Sequence, residues 1–334
     1  MSGLVEPRLI NPDFGDPGLF LNFRFGREAI LFDLGDLSPL TTKEILKARH
    51  VFVSHMHLDH FIGFDRLLRV FLHQRAAVSI HGPPGLGDAI DAKLHGYVWN
   101  LLDEKNPEFV IRATDWSAGG AVACCSFSTR KAFKREALPI AADRSNILFD
   151  DGQFRIEAVE LGHGIPCLAF AFQEGLRLNV HKARLDELGL PVGPWLTEAK
   201  RALRGQRAGE AEIDIPGHGK VRLSTLQSSG ALVSARGQRI AYATDLAFTE
   251  ENVKKVTALA RGADHFFIEA VFTEEDRRLA AAKHHLTAGQ AGSIAAAAGV
   301  ARATPFHFSP RYLGREEILQ AEFRSAFAES RNPP

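Results

Sequence analysis

Cysteine is scarce in this chain: Cys124, Cys125 and Cys167 are the only three in 334 residues, and two of them are adjacent. An odd number at that spacing builds neither a disulfide framework nor a zinc–thiolate site, and it suits a reducing compartment. Net charge is absent as well. The 40 basic and 40 acidic residues cancel, so no whole-protein positive field attracts nucleic acid indiscriminately, and any such contact must come from local patches. No run of about 18 apolar residues occurs, which excludes a membrane-spanning helix. Met1 to Phe20 lacks a basic start followed by an apolar stretch and carries Glu6, Asp13 and Asp16, so it does not read as a signal peptide. Internal repeats, long linkers and low-complexity segments are missing too. What these absences leave is a cytoplasmic globular enzyme, and a composition of 45% apolar and 24% charged residues agrees with it.

What is present is an alternation of short apolar runs with helical patterns. Ala29 to Phe32, Val51 to Val53, Val78 to Ile80, Phe154 to Leu161, Cys167 to Phe172, Arg239 to Ala243, Phe266 to Ile268 and Thr304 to Phe308 read as strands. From His60 onward, Phe61, Phe64, Leu67, Leu68, Phe71 and Leu72 recur at helical spacing and predict one helix. Thr287 with Gln290 is a capping box opening a helix over 291–300, Thr273 with Asp276 predicts a helix start before it, and 314–328 reads as a terminal helix. Interleaving from end to end favours a single α/β domain over residues 1–334. The stretch 175–227 breaks the pattern and reads as a substrate-binding arm inserted within that domain. It carries nine Lys and Arg against six Asp and Glu. Lys200, Arg204 and Arg207 stand at helical spacing for phosphates, with Trp195 available to stack on a base. Arg130, Lys131, Lys134 and Arg135 form a second basic cluster.

The chemistry concentrates directly after the strand Val51 to Val53, in His55-Met56-His57-Leu58-Asp59-His60. Three imidazoles and a carboxylate in six positions have little structural purpose at a strand-to-helix turn. Neutral imidazole and carboxylate suit zinc and similar divalent ions, and alternating ligands let one short loop serve two neighbouring ions. One loop cannot complete two coordination shells. Other strand ends supply His163, flanked by glycines, Asp245 and His307. Asp33, after Ala29 to Phe32, reads as support for a ligand histidine from behind. Glu269 closes the strand Phe266 to Ile268, where a buried carboxylate needs a partner, and pairing with His285 would fix that imidazole's tautomer. Gly82-Pro83-Pro84-Gly85 reads as a strand-to-helix turn, because its prolines remove the amide donors a phosphate loop needs.

The six-residue run resembles the HxHxDH signature of the metallo-β-lactamase superfamily, and the chain from about Ile30 to Gly314 is similar to its ribonuclease Z branch of tRNA 3′-processing endonucleases. The residues that carry the likeness include Phe32-Asp33-Leu34-Gly35, Gly162-His163-Gly164, Leu188-Gly189-Leu190-Pro191-Val192-Gly193-Pro194, Ile240 to Asp245, Ala263 to Phe272, His285-Leu286-Thr287-Ala288 and His307-Phe308-Ser309-Pro310-Arg311-Tyr312. The resemblance implies a four-layer αββα sandwich with metals at one edge between the sheets. It assigns His55, His57 and His163 to one zinc, Asp59, His60 and His307 to a second, and Asp245 to both, with manganese or iron(II) as substitutes for zinc. Asp59 would orient or deprotonate a water, and His285 would protonate the departing ribose oxygen, with adjacent His284 as the residue most easily confused with it. The expected substrate is RNA, namely the 3′ trailer of precursor tRNA, with a small phosphodiester or other ester as the alternative and a non-catalytic metal-binding protein of the same fold as a further one, and the chain is compatible with a homodimer. Three departures from the branch touch substrate choice rather than the metals. Pro12 to Pro17 replaces an N-terminal glycine-threonine element, Leu246 replaces a threonine, and Ile268 stands where a histidine often precedes the glutamate.

Overall fold

The computed structural model describes residues 3–140, 146–203 and 210–329. The chain divides into two compact units, one of 1–149, 156–172 and 239–334, the other of 150–155 and 173–238.

The first unit opens with β1 (Val5–Leu9), β2 (Leu19–Phe23), β3 (Ala29–Phe32), α1 (Thr42–Ile45), β4 (Ala48–Phe52), α2 (Leu58–Phe61), α3 (Phe64–Phe71), β5 (Ala76–Gly82), α4 (Leu86–His95), β6 (Phe109–Ser117), β7 (Gly120–Ser128) and β8 (Glu136–Ala137). These eight strands form one sheet in sequence order, with β3, β4, β5 and β6 parallel. A second sheet is built from β9 (Ile147–Asp150), β10 (Phe154–Gly162) and β11 (Pro166–Glu174), together with three later strands.

The second unit contains β12 (Arg177–Val180), α5 (Lys182–Glu187), α6 (Trp195–Leu203), β13 (Glu212–Ile215), β14 (Gly219–Arg222), α7 (Leu223–Ser228) and β15 (Leu232–Ala235). Antiparallel pairs β12–β15 and β13–β14 and the three helices enclose a separate small core of Leu185, Trp195, Ile213, Ile215, Leu223 and Leu226. Trp195 is buried and donates from Nε1 to the Pro191 carbonyl at 2.7 Å. That corrects its expected stacking role: the indole's large apolar surface is used to build this core. Lys182, Arg184, Lys200, Arg201, Lys220 and Arg222 are exposed. Arg204 and Arg207 lie outside the described residues.

The chain then completes the first unit with β16 (Arg239–Ala243), α8 (Glu250–Ala260), β17 (His265–Glu269), α9 (Arg277–Ala282), α10 (Ala288–Ala297), β18 (Ala303–Phe306) and α11 (Glu316–Glu329). The second sheet runs β18-β17-β16-β11-β10-β9, with β16, β17 and β18 parallel. Phe32 and Phe52 of the first sheet meet Phe170 of the second at ring centroids 5.3 and 5.9 Å apart, so aromatic side chains fill the space between the sheets. One outer core joins the first sheet to Phe64, Leu67, Phe71, Ile90 and Leu94, and the other joins the second sheet to Val256, Leu259, Ile294, Leu319 and Phe323. Helices, two sheets and helices make the four layers of an αββα sandwich.

Two expected helix features differ. The helix expected from His60 is two helices, because Gly63 interrupts it: a Cβ there would lie 2.2 Å from the Gly35 carbonyl oxygen. Its amide bonds the Leu34 carbonyl at 2.8 Å, seating the end of the histidine loop on the loop that follows β3. Thr273 makes no cap bond; its hydroxyl faces the Tyr312 hydroxyl at 3.4 Å, and a 3-10 turn over Glu274–Asp276 precedes α9. The Thr287–Gln290 capping box is present as expected. Asp115 accepts from the amides of Gly85 and Gly87, so a protein carboxylate already occupies the N-terminus of α4.

Candidate metal centre

All seven residues singled out as ligands follow the C-terminal ends of strands, where open α/β sheets collect their functional groups. His55, His57, Asp59 and His60 follow β4, His163 follows β10, Asp245 follows β16 and His307 follows β18. The backbone there is unusual. Asp33, Asp245 and His307 have φ of 61°, 39° and 60°, left-handed values that side chains disfavour and that cluster where a site over-determines geometry.

Two groups of ligating atoms result. His55, His57, His163 and Asp245 form one, and Asp59, His60 and His307 form another, with atoms in each group within 4.8 Å of one another. Asp245 links them. Its Oδ2 lies 3.6, 3.4 and 3.4 Å from the Nε2 atoms of His55, His60 and His163, and its Oδ1 lies 3.2 Å from His307 Nε2. Asp59 Oδ2 stands 3.5 Å from His60 Nε2 and 3.7 Å from His307 Nε2.

The opposite ring nitrogens are committed elsewhere. His60 Nδ1 donates to Asp33 Oδ2 at 3.1 Å, and His163 Nδ1 donates to the His284 carbonyl at 2.8 Å. Ser54 Oγ donates to Asp33 Oδ2 at 2.9 Å, which leaves it to accept from His55 Nδ1 at 3.1 Å. Asp33 therefore supports His60 directly and His55 through Ser54, which extends the supporting role expected of it. With Nδ1 protonated in each ring, the Nε2 lone pairs are free for a cation.

A test of fit comes from the buried nitrogens. His55 Nε2 and His60 Nε2 are buried without a hydrogen-bond partner among the described residues, a costly arrangement for polar atoms. Their distances to Asp245 are too long for hydrogen bonds. Two atoms each about 2.0–2.1 Å from a tetrahedral ion stand about 3.3–3.4 Å apart, so separations of 3.2–3.6 Å are those of shared ligands. The donor set fits a divalent cation.

Without a cation the charges are in conflict. Burial and neighbouring histidines hold His55 down to about 2, with Asp245 opposing them. Burial also disfavours charge on His60, yet Asp245 and Asp33 raise it well above its ordinary value. Asp245 stays ionised against burial because His60 and His307 face it.

Beside the seven lies a third pair. His285 Nδ1 is 3.2 Å from Glu269 Oε1, and its ring is 4.7 Å from His163 and 6.1 Å from His307, centroid to centroid. Burial opposes the imidazolium, but Glu269 outweighs it and pushes His285 up to about 9. Fully buried Glu269 also accepts from the amides of Leu246 and Leu286. The residue at the leucine departure, Leu246, thus contributes its backbone to the site. His284 contributes its carbonyl rather than its ring.

Against known proteins, residues 213–308 match the family model of the beta-lactamase superfamily domain. The chain is 32% identical over 314 residues to a ribonuclease Z from Deinococcus radiodurans, covering 91% of both chains. The chain belongs to the ribonuclease Z family. A ribonuclease Z of Microcystis aeruginosa is 30% identical over 298 residues, 86% of this chain and 77% of that one. Two solved structures share the fold: the metallo-β-lactamase fold protein YhfI of Bacillus subtilis, with TM-score 0.55, 14% identity and coverage of 97% and 93%, and the human short-form tRNase Z, with TM-score 0.50, 18% identity and 92% of each chain. As a ribonuclease Z family member the chain is a metal-dependent hydrolase of the metallo-β-lactamase fold, with a ribonuclease Z-like endonuclease activity.

Sequence reasoning missed Ser54, Tyr242 and Asn252 in this ribonuclease Z family member. Tyr242 donates from its hydroxyl to Asp33 Oδ2 at 2.8 Å, and Asn252 binds the loops carrying His163 and Asp245. A signal for Tyr242 existed, since a tyrosine inside a fully buried strand needs a partner for its hydroxyl.

Proposed function

We propose that this protein is a zinc-dependent endoribonuclease that removes the 3′ trailer of precursor tRNA in the cytoplasm. The observation that carries the reading is the position of Asp245, whose two carboxylate oxygens stand 3.2–3.6 Å from four imidazole nitrogens belonging to both ligand groups. In this reading His55, His57 and His163 hold one ion, Asp59, His60 and His307 hold a second, and Asp245 serves both. The human relative of the same fold is a tRNase Z, which supports tRNA as the substrate class.

A bound ion pair supplies a water of lowered pKa and charge neutralisation at the phosphoryl oxygens. The protein's own groups do the rest. Asp59, partly exposed beside His60 and His307, orients the attacking water and accepts its proton. His285, held by Glu269, donates a proton to the departing ribose oxygen. Glu269 fixes the imidazole so that Nε2 is the nitrogen that acts on substrate. Exposed Lys182, Lys200, Arg201, Lys220 and Arg222 of the second unit supply cations for an RNA backbone. The cluster at 130–135 is a weaker candidate, because Lys131 pairs with Glu136 at 2.6 Å and Arg135 with Asp88 at 2.5 Å.

The test compares precursor tRNA with a small chromogenic phosphodiester, with metal content measured on the same preparation. Replacing residues 175–227 with a short flexible linker is expected to abolish tRNA processing and spare the diester. Equal survival of both activities would remove the arm from RNA binding, and a wild-type protein that cleaves the diester but never precursor tRNA would overturn the substrate assignment.

A further inference from the structure

The loops bearing His163 and Asp245 come from strands that are far apart in sequence, yet their ligating atoms stand 3.4 Å apart. One side chain ties them together. Asn252 lies in the first turn of α8, which Thr249 caps by accepting from the Asn252 amide at 3.2 Å. Its side chain turns inward and is 4% exposed. Oδ1 accepts from the amide of Gly162, the residue immediately before His163, at 2.9 Å. Nδ2 donates to the Gly162 carbonyl at 2.8 Å and to the carbonyl of Ala247, two residues after Asp245, at 2.9 Å. The Ala247 amide donates to the same Gly162 carbonyl at 2.9 Å and closes the cluster.

We infer that Asn252 is a positioning residue for the metal centre, a carboxamide staple that sets the spacing between His163 and Asp245 so that both can bind one ion; this rests on the ligand roles proposed above. The chemistry of the cluster demands an amide. The Gly162 N–H takes its acceptor from this side chain, while the carbonyls of Gly162 and Ala247, which already accept from the Ala247 and Thr249 amides, each take a second donor from it. Only a carboxamide offers an acceptor and two donors together from one side chain of this length. Aspartate has the same shape but sets oxygen lone pairs against the carbonyls of Gly162 and Ala247. Alanine removes all three bonds, and serine, with a single hydroxyl proton, cannot make all three. The staple acts one step behind the ligands, where loss of a supporting partner lowers metal affinity about 10–100-fold.

The experiment is a cobalt(II) titration of the metal-free full-length protein, following the visible d–d bands, for wild type, N252D, N252S, H163A and T249V. Thermal melting of each metal-free protein is recorded alongside. T249V removes the helix cap and leaves the staple, and N252S serves if N252D does not fold. The expected result is that N252D and N252S weaken the same cobalt step as H163A, by at least about tenfold, with altered bands, while T249V melts earlier and titrates as wild type. If N252D and N252S melt earlier but titrate as wild type while H163A does not, Asn252 is merely structural and the inference is overturned. If H163A itself titrates as wild type, the ligand assignment fails and the inference falls with it.

Discussion

The Tyr242 hydroxyl donates a 2.8 Å hydrogen bond to Asp33 Oδ2, joining the second sheet to the loop that ends β3 of the first, directly behind the metal centre. Asp33 is fully buried and also accepts from the Ser54 amide at 2.6 Å, the Ser54 hydroxyl at 2.9 Å and His60 Nδ1 at 3.1 Å. Burial and Asp33 together push the phenol well above its ordinary range, so Tyr242 is a fixed donor.

Tyr242→Phe removes that donor without changing ring packing against Phe32 and Phe306. A buried hydrogen bond to a charged group contributes about 1.5–3 kcal/mol, and the substitution is expected to lower stability by that amount in urea unfolding of the metal-free protein. A change below about 0.5 kcal/mol would mean that water or another donor replaces the hydroxyl.

Asp245→Ala and His285→Ala are expected to separate. Asp245 faces four histidine nitrogens, so its loss should remove metal and activity together. His285→Ala should retain metal and lower kcat by about 10²–10⁴-fold, the usual range for a lost general acid. Metal analysis beside turnover decides the matter. The carboxylates of Asp245 and Glu269 lie close enough to His285 to form a third potential ligand group, so loss of metal from His285→Ala would make that residue a ligand.

The candidate ligand set was legible because its chemistry is local: imidazoles and carboxylates gathered at strand ends suit a divalent cation. Strands such as β3 and β16 were legible to the residue because they are uniformly buried. The strand β7 was not, since Gly120 to Cys125 is a run of mostly small residues with weak strand preference. Ser54, Asn252 and Tyr242 escaped for a different reason. Each is an ordinary residue type with a deciding partner 21, 90 or 209 positions away, so the sequence around it does not show which group it meets. The Thr273 expectation failed similarly, when a distant Tyr312 hydroxyl took the place of the helix amide.

His284 contributes a carbonyl, and its φ of 59° is the constraint, while its ring is exposed. Substitution with glycine or asparagine, which tolerate that conformation, should leave metal content and kcat within about twofold of wild type. Valine should cost about 1–2 kcal/mol in stability and weaken metal binding, because a β-branched residue resists the left-handed region and would shift the carbonyl that His163 uses. Metal affinity of the glycine and valine variants, measured together, separates ring from backbone, and loss of activity in the glycine variant with metal retained would give the ring a role of its own.

His81 makes the fold acid-sensitive in a way that can be removed. Its ring stacks on Phe52, with centroids 4.9 Å apart and planes 12° apart, and neither ring nitrogen has a hydrogen-bond partner among the described residues. Burial, with nearby His50 adding like charge, holds it down to about 3, against 6.5 in the unfolded chain. Below pH 6.5 the unfolded chain therefore binds a proton that the folded protein refuses, and stability falls as pH drops from 6.5 toward 3. At pH 5 the loss from this one group is about 2 kcal/mol, since each unit of pH below 6.5 costs about 1.4 kcal/mol. His81→Phe keeps the stacking and cannot take the proton. Between pH 8 and pH 5 its urea unfolding free energy should therefore fall by about 2 kcal/mol less than that of wild type, and an equal fall in both proteins would show that His81 is hydrated or paired when folded.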